Sequence, residues 1–176
     1  MIEQREKIGG RISGFLMVYE CRDGGEPVLI MDGRNSITDY SETIIKGLLA
    51  RNPEDFMIDG IAVGLGGDAE IAEPHNDTGA RVAPDPVEEM MRIPLETIPI
   101  QMTQEISGGI EYTALARPDQ AISDDINEFG LVARNGKLFA HYIPDADPTR
   151  AEKKPKTDIY WIMKWVVEYA NTWEGP

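Results

Sequence analysis

Apolar residues in this chain recur mostly at every second position, the spacing of strands that turn one face to a core. The clearest run closes the sequence: Ile159, Trp161, Met163 and Trp165 fall on one face, and Tyr160, Ile162, Lys164 and Val166 on the other. Ile110, Tyr112, Ala114 and Ala116 alternate in the same way, and Gly108-Gly109 joins them to a run through Leu95, Ile98, Ile100 and Met102. Ile61, Val63 and Leu65 alternate with small residues, as in a strand whose second face is closely approached. Near the start, Ile12 to Cys21 carries Phe15, Leu16, Met17, Val18 and Tyr19. The turn cluster Arg22 to Pro27 and the run Val28 to Met31 make this a hairpin.

A second hairpin is built on Arg134-Asn135-Gly136-Lys137. Asn-Gly is expected to supply the two positive φ values of a tight two-residue turn, setting Leu131 and Ala133 opposite Ala140 and Leu138. One segment has helical spacing instead. Ile37, Tyr40, Ile44, Ile45, Leu48 and Leu49 make one apolar face, with Ser36 placed to cap the free amides and Asn52-Pro53 to stop the helix. Seven or eight strands and one helix at about residues 37–50 predict a mainly β fold, an antiparallel β-sandwich with one flanking α-helix. The domain reading is a polar arm at residues 1–10, a single β-sandwich domain at 11–170 and a short tail at 171–176.

Composition narrows the function. The 176 residues are 41% hydrophobic and 27% charged, as in a globular chain. A net charge of −14 repels phosphate backbones and anionic lipid, so neither direct nucleic acid contact nor a membrane surface is expected. The basic residues Arg150, Lys153, Lys154 and Lys156 are broken up by Glu152 and Pro155 and read as a solvated loop. Cys21 stands alone, which rules out an internal disulfide framework and favours an intracellular site of assembly. Met1 to Gly10 has no apolar signal segment and no apolar run reaches spanning length, so neither secretion by a signal peptide nor membrane insertion is expected.

Candidate chemistry is sparse. Gly64-Leu65-Gly66-Gly67 follows a strand as a phosphate loop does, but lacks the Lys-Ser/Thr that completes one; a tight strand-ending turn is the simpler reading. Asp68, Glu70, Glu73, His75 and Asp77 crowd one loop without the ligand alternation, central Gly or closing Glu of a calcium loop. His141, beside Tyr142 in a strand, reads as structural, and no nucleophile-elbow context surrounds any Ser. Glu128, flanked by Ile126, Phe129 and Leu131, is expected to be covered. It could act as an acid, but the favoured role is to accept hydrogen bonds that fix the start of its strand. Trp161 and Trp165 share a core face, whereas Trp173 sits in polar surroundings that suit a partner contact. No catalytic, cofactor-binding or metal-ligating residue is therefore assigned. Glu3 and Arg5 in the arm, with Trp173 and Glu174 in the tail, are the expected partner contacts.

An ordered series of segments resembles a group of bacteriophage virion proteins associated with tail fibres, baseplates or collars. It begins with Asn35-Ser36-Ile37-Thr38-Asp39 opening a helix and Ile61-Ala62-Val63-Gly64-Leu65-Gly66 running into glycines. Asp77-Thr78, Arg92-Ile93-Pro94, Ile126-Asn127-Glu128-Phe129-Gly130-Leu131 and Gly136-Lys137-Leu138-Phe139-Ala140 follow, and Lys156-Thr157 before the Trp161 strand completes it. The series covers roughly residues 35 to 167; the hairpin from Ile12 to Met31 lies outside it. The resemblance implies a non-enzymatic structural or adaptor role in a virion assembled in the host cytoplasm, in contact with copies of itself and other virion proteins. The competing readings are a small carbohydrate- or ligand-binding β-sandwich module, and a hydrolase whose metal is held by Asp68, Glu73, His75 and His141.

Overall fold

A computed structural model of the chain describes residues 11–22, 24–38, 40–50, 53–66, 91, 94–117, 126–144 and 159–170. These hold eight strands: β1 (Arg11–Arg22), β2 (Val28–Ile37), β3 (Ile58–Gly64), β4 (Pro94–Ile106), β5 (Gly109–Ala116), β6 (Glu128–Ala133), β7 (Leu138–Tyr142) and β8 (Ile159–Ala170). One α-helix, α1 (Ser41–Leu49), and a single 3-10 turn, Glu54–Phe56, lie between β2 and β3. All pairings are antiparallel, in the order β1-β2-β7-β6-β3-β4-β5-β8, and β8 returns to β1. The mainly β, antiparallel fold with one helix is thus the one expected from the periodicity, with its layers joined into a closed barrel.

Two long strands make the closure. β2 pairs with β1 from Val28 to Asn35 and then with β7 at Ser36 and Ile37. β4 pairs with β3 from Pro94 to Pro99 and then with β5 from Ile100 to Ile106, with a register shift between Ile100 and Met102. A bulge bends and twists a strand, which lets one strand serve two layers at a corner. A sandwich with shared corner strands on both sides is a barrel.

Eight strands enclose a space that side chains can just fill. Leu16 and Val18 of β1 lie opposite Trp165 and Met163 of β8, and all four are buried. On the other flank of β8, the small residues Ala114 and Ala116 stand opposite Met163 and Trp161, leaving room for the larger partners. Ile61, Val63, Ile98, Phe129 and Leu131 complete the same cluster from the opposite wall. Each large apolar side chain so buried contributes about 1.5–3 kcal/mol. Trp161 and Trp165 are core residues, as their shared face predicts.

One polar side chain reaches into this core region. With its amide oriented to satisfy the donors around it, the Asn35 oxygen accepts hydrogen bonds from Phe15 N at 3.1 Å and Trp165 Nε1 at 2.6 Å. Asn35 is the cross-strand partner of Gly14, and a Cβ on Gly14 would occupy the place of the Asn35 amide.

Two local expectations are corrected. The helix begins at Ser41, because Ser36 and Ile37 continue β2 into its ladder with His141 and Ala140. Tyr40, without a side-chain cap, precedes the helix; Ser36 does not cap it. Thr38 makes the bend, its hydroxyl donating to Leu138 O at 2.6 Å and its N–H to Phe139 O at 3.1 Å. Ile44 is buried in the core, but Leu48 and Leu49 are exposed, so the apolar face does not run to the helix end.

The Asn135-Gly136 turn also differs. Gly136 alone has a positive φ, +82°, while Asn135 does not. Gly136 N donates to Ala133 O at 2.8 Å and Ala133 N to Lys137 O at 2.9 Å, the pattern of a type I turn closed by a left-handed glycine. The extra residue sets Val132, rather than Ala133, opposite Leu138, and an irregularity between Leu131 and Val132 restores Leu131 opposite Ala140 as expected. Asn135 N and Arg134 N donate to Asp55 O and Met57 O, which ties the turn to the segment after α1.

Candidate functional site

The strands β3, β6 and β7 are buried on both faces: every residue of β6 and β7 is buried, as is β3 from Gly60 to Gly64. Their inner face belongs to the barrel core. Their outer face carries Ala62, Val132 and Leu138 with Met91 packed against them, and beside these the polar pair Glu128 and His141. Gly130 lies between Ala62 and His141 in the ladders. A Cβ there would lie 2.9 Å from Met91 Sδ and collide with the end of the Leu138 side chain, so the glycine lets both pack closely over the sheet.

Glu128 opens β6 opposite Gly64 and has no solvent exposure. Its Oε1 lies 2.9 Å from His141 Nε2 on the neighbouring strand, and its Oε2 accepts the Gly66 N–H at 3.1 Å. Just before it, Asn127 N donates to Gly64 O at 3.0 Å. A carboxylate only accepts, so with Glu128 ionised the imidazole donates through Nε2. One side chain thereby joins its own strand β6 to β7 and to the turn that leaves β3. Burying a carboxylate is costly unless both oxygens are satisfied. Here each oxygen has a partner.

A carboxylate–imidazole pair can also be the orienting half of a nucleophile-activating triad. This pair is embedded in a sheet layer, with the second carboxylate oxygen held by backbone, which is the arrangement of a brace. Among the described residues no group of three or more His, Cys, Asp and Glu is placed to hold a metal ion. The Gly66 amide, which a phosphate loop would turn toward its ligand, is directed at Glu128 instead. Glu128 therefore takes the role favoured for it in the sequence, and His141, thirteen positions further along the chain, is its partner.

The expected partner contacts Glu3, Arg5, Trp173 and Glu174 lie outside the described residues, as do Asp68, Glu70, Glu73, His75 and Asp77 of the acidic loop. Asn35 was legible only as part of a helix start, and the structure places it in β2 as an acceptor for Trp165. Its signal in the sequence is a lone amide in a strand run. On the outside of the barrel, Lys164 Nζ meets Glu111 Oε1 at 2.9 Å across β5 and β8, a partly buried pair.

No protein-family model, curated protein or solved structure matches this chain. No helix among the described residues is long and apolar enough to cross a membrane.

Proposed function

We propose that the protein is a non-enzymatic structural or adaptor subunit that works through protein–protein contacts in a symmetric assembly, in the setting of a bacteriophage tail, baseplate, collar or fibre attachment. The observation that carries this reading is a barrel filled by its own side chains, with Trp161, Trp165, Phe129 and Met163 in the interior and Glu128 committed to bracing three chain segments. Such a body is rigid, and rigidity is what a repeated building unit requires. Apolar side chains remain on its outside: Leu49 is 84% exposed, and Leu48 and Met57 are also exposed at the α1 end of the barrel. Residues of this kind serve contact rather than stability of the single copy. The virion setting comes from the ordered resemblance of residues 35 to 167, and repetition around a symmetry axis multiplies weak contacts into firm attachment. Mass spectrometry of particles purified from cells carrying the encoding genome tests the reading. The chain is expected at a fixed ratio to the other particle proteins, and its absence from purified particles overturns the proposal.

A further inference from the structure

The corner strand β4 ends in an open edge. From Met102 to Ile106 it is paired with β5 on one side, and among the described residues no strand pairs with its other side, because β3 leaves it at Pro99. Gln101 to Glu105 are all exposed, whereas a barrel-wall strand normally buries every second residue. Among the described residues, this end of β4 therefore presents backbone groups without a strand partner along one side, while β5 stays in the wall through its ladder with β8. The corresponding length of β2 is treated differently: the Tyr142 hydroxyl donates to Asp32 O at 3.1 Å, and its ring lies against Gly33. Nothing described gives β4 such a cover.

Resting on the reading of the protein as an assembly subunit, we propose that this edge is where two copies join, β4 to β4 in antiparallel register about a two-fold axis through Gln104. The residues select that occupant. Antiparallel pairing about Gln104 sets Met102 opposite Ile106 of the partner subunit, Thr103 opposite Glu105 of the partner subunit, and Gln104 opposite Gln104 of the partner subunit. Apolar meets apolar, amide meets amide, and the only charge in the segment, Glu105, meets a hydroxyl rather than its own copy. The register lies wholly beyond the bulge between Ile100 and Met102, on the straight part of the strand. An isologous contact of this kind closes on itself and leaves no edge for further growth. Each copy carries a net charge of −14, so screening by salt strengthens the association.

Sedimentation equilibrium across a range of ionic strength tests the proposal, using the wild-type chain and three variants at exposed positions. Thr103→Glu places two carboxylate pairs across the two-fold, Thr103→Lys places two ion pairs there, and Thr43→Glu on α1 makes the same charge change away from the edge. Circular dichroism establishes that each variant keeps its strands. The wild type is expected to be a dimer that tightens with salt. Thr103→Glu raises its dissociation constant about tenfold, Thr103→Lys lowers it, and Thr43→Glu leaves it close to wild type. A wild type that stays monomeric throughout, or equal effects of Thr103→Glu and Thr43→Glu, overturns the proposal. The two readings fail separately. A monomer that still enters particles at a fixed ratio removes the β4 contact alone, and a dimer absent from particles removes the virion role alone.

Discussion

His141 Nε2 and Glu128 Oε1 meet at 2.9 Å between neighbouring strands, and the opposite oxygen of the same carboxylate holds the backbone of Gly66. The pair stands on the outer face of strands that are buried on both sides, where a charge without partners is very unfavourable. Removing either member leaves the other buried and incompletely satisfied. His141→Ala is expected to lower stability by about 3–5 kcal/mol, and Glu128→Gln by about 1–3 kcal/mol, because an amide keeps one acceptor oxygen but turns an NH2 donor toward the other partner. Urea unfolding measures both. The double variant is expected to cost less than the sum of the two, since the residues act on one another directly.

Asn35 has a comparable role inside the barrel. Asn35→Leu strips the acceptor from the Trp165 indole and from Phe15 N, with an expected loss of about 1–3 kcal/mol for each buried donor left unsatisfied. Gly14→Ala is expected to destabilise by the same route, since its methyl displaces the Asn35 amide. Tryptophan fluorescence followed through guanidinium unfolding reads the loss in midpoint for both.

Alkaline titration tests the packing of β5 against β8. The Tyr112 phenol is pushed up to about 12, by burial above all and by the neighbouring Tyr169 in addition. In the unfolded chain a tyrosine ionises at about 10. The unfolded state therefore sheds its proton first, so the stability linked to Tyr112 is intact below that pH and is lost as pH rises toward about 12. Absorbance at about 295 nm is expected to show a late ionisation at about pH 12 to which Tyr112 contributes. Tyr112→Phe is expected to remove one tyrosine's amplitude from that late phase and to make stability less sensitive to alkali. A late phase of unchanged amplitude in the variant excludes Tyr112 as its source.

Cys21 is expected to resist thiol reagents in the folded protein. It is buried, and burial pushes its thiol up; a hydrogen bond with Tyr160 pulls the other way, and the charge of Glu20 adds a further rise. The thiolate is the reactive form, so both access and ionisation are suppressed. Ellman's reagent is expected to react slowly with the native protein and rapidly after denaturation.

Much of the wall was legible because alternation is a local property. The run around Trp161 to Trp165, and that around Tyr112 to Ala116, fixes face and type without reference to any partner. Closure was not legible, since it depends on which strand β2 and β4 meet after their bends, and bends do not alter composition enough to show. Ile37 illustrates the difficulty at short range: it fits the helical spacing, but pairing with Ala140 draws it into β2. The Asn135-Gly136 dipeptide announced a turn correctly, while the turn type followed from one extra residue in the loop. At the candidate site, Glu128 could be read from its apolar flanks. The register expected of the turn, Leu131 opposite Ala140, already sets His141 on the strand beside it, opposite Gly130, but register alone does not say which side chains meet.

The ladder that joins Arg11 to Ala170 gives synthesis a particular timetable. Of the described strands, β1 is made first and β8 last, yet the two are neighbours, and each of the twelve positions from Arg11 to Arg22 takes its partner from β8. Pairings so distant along the chain form slowly. Until β8 is made, β1 and β5 each wait with one flank uncovered, so the nascent chain is most vulnerable to sticking to others in that interval.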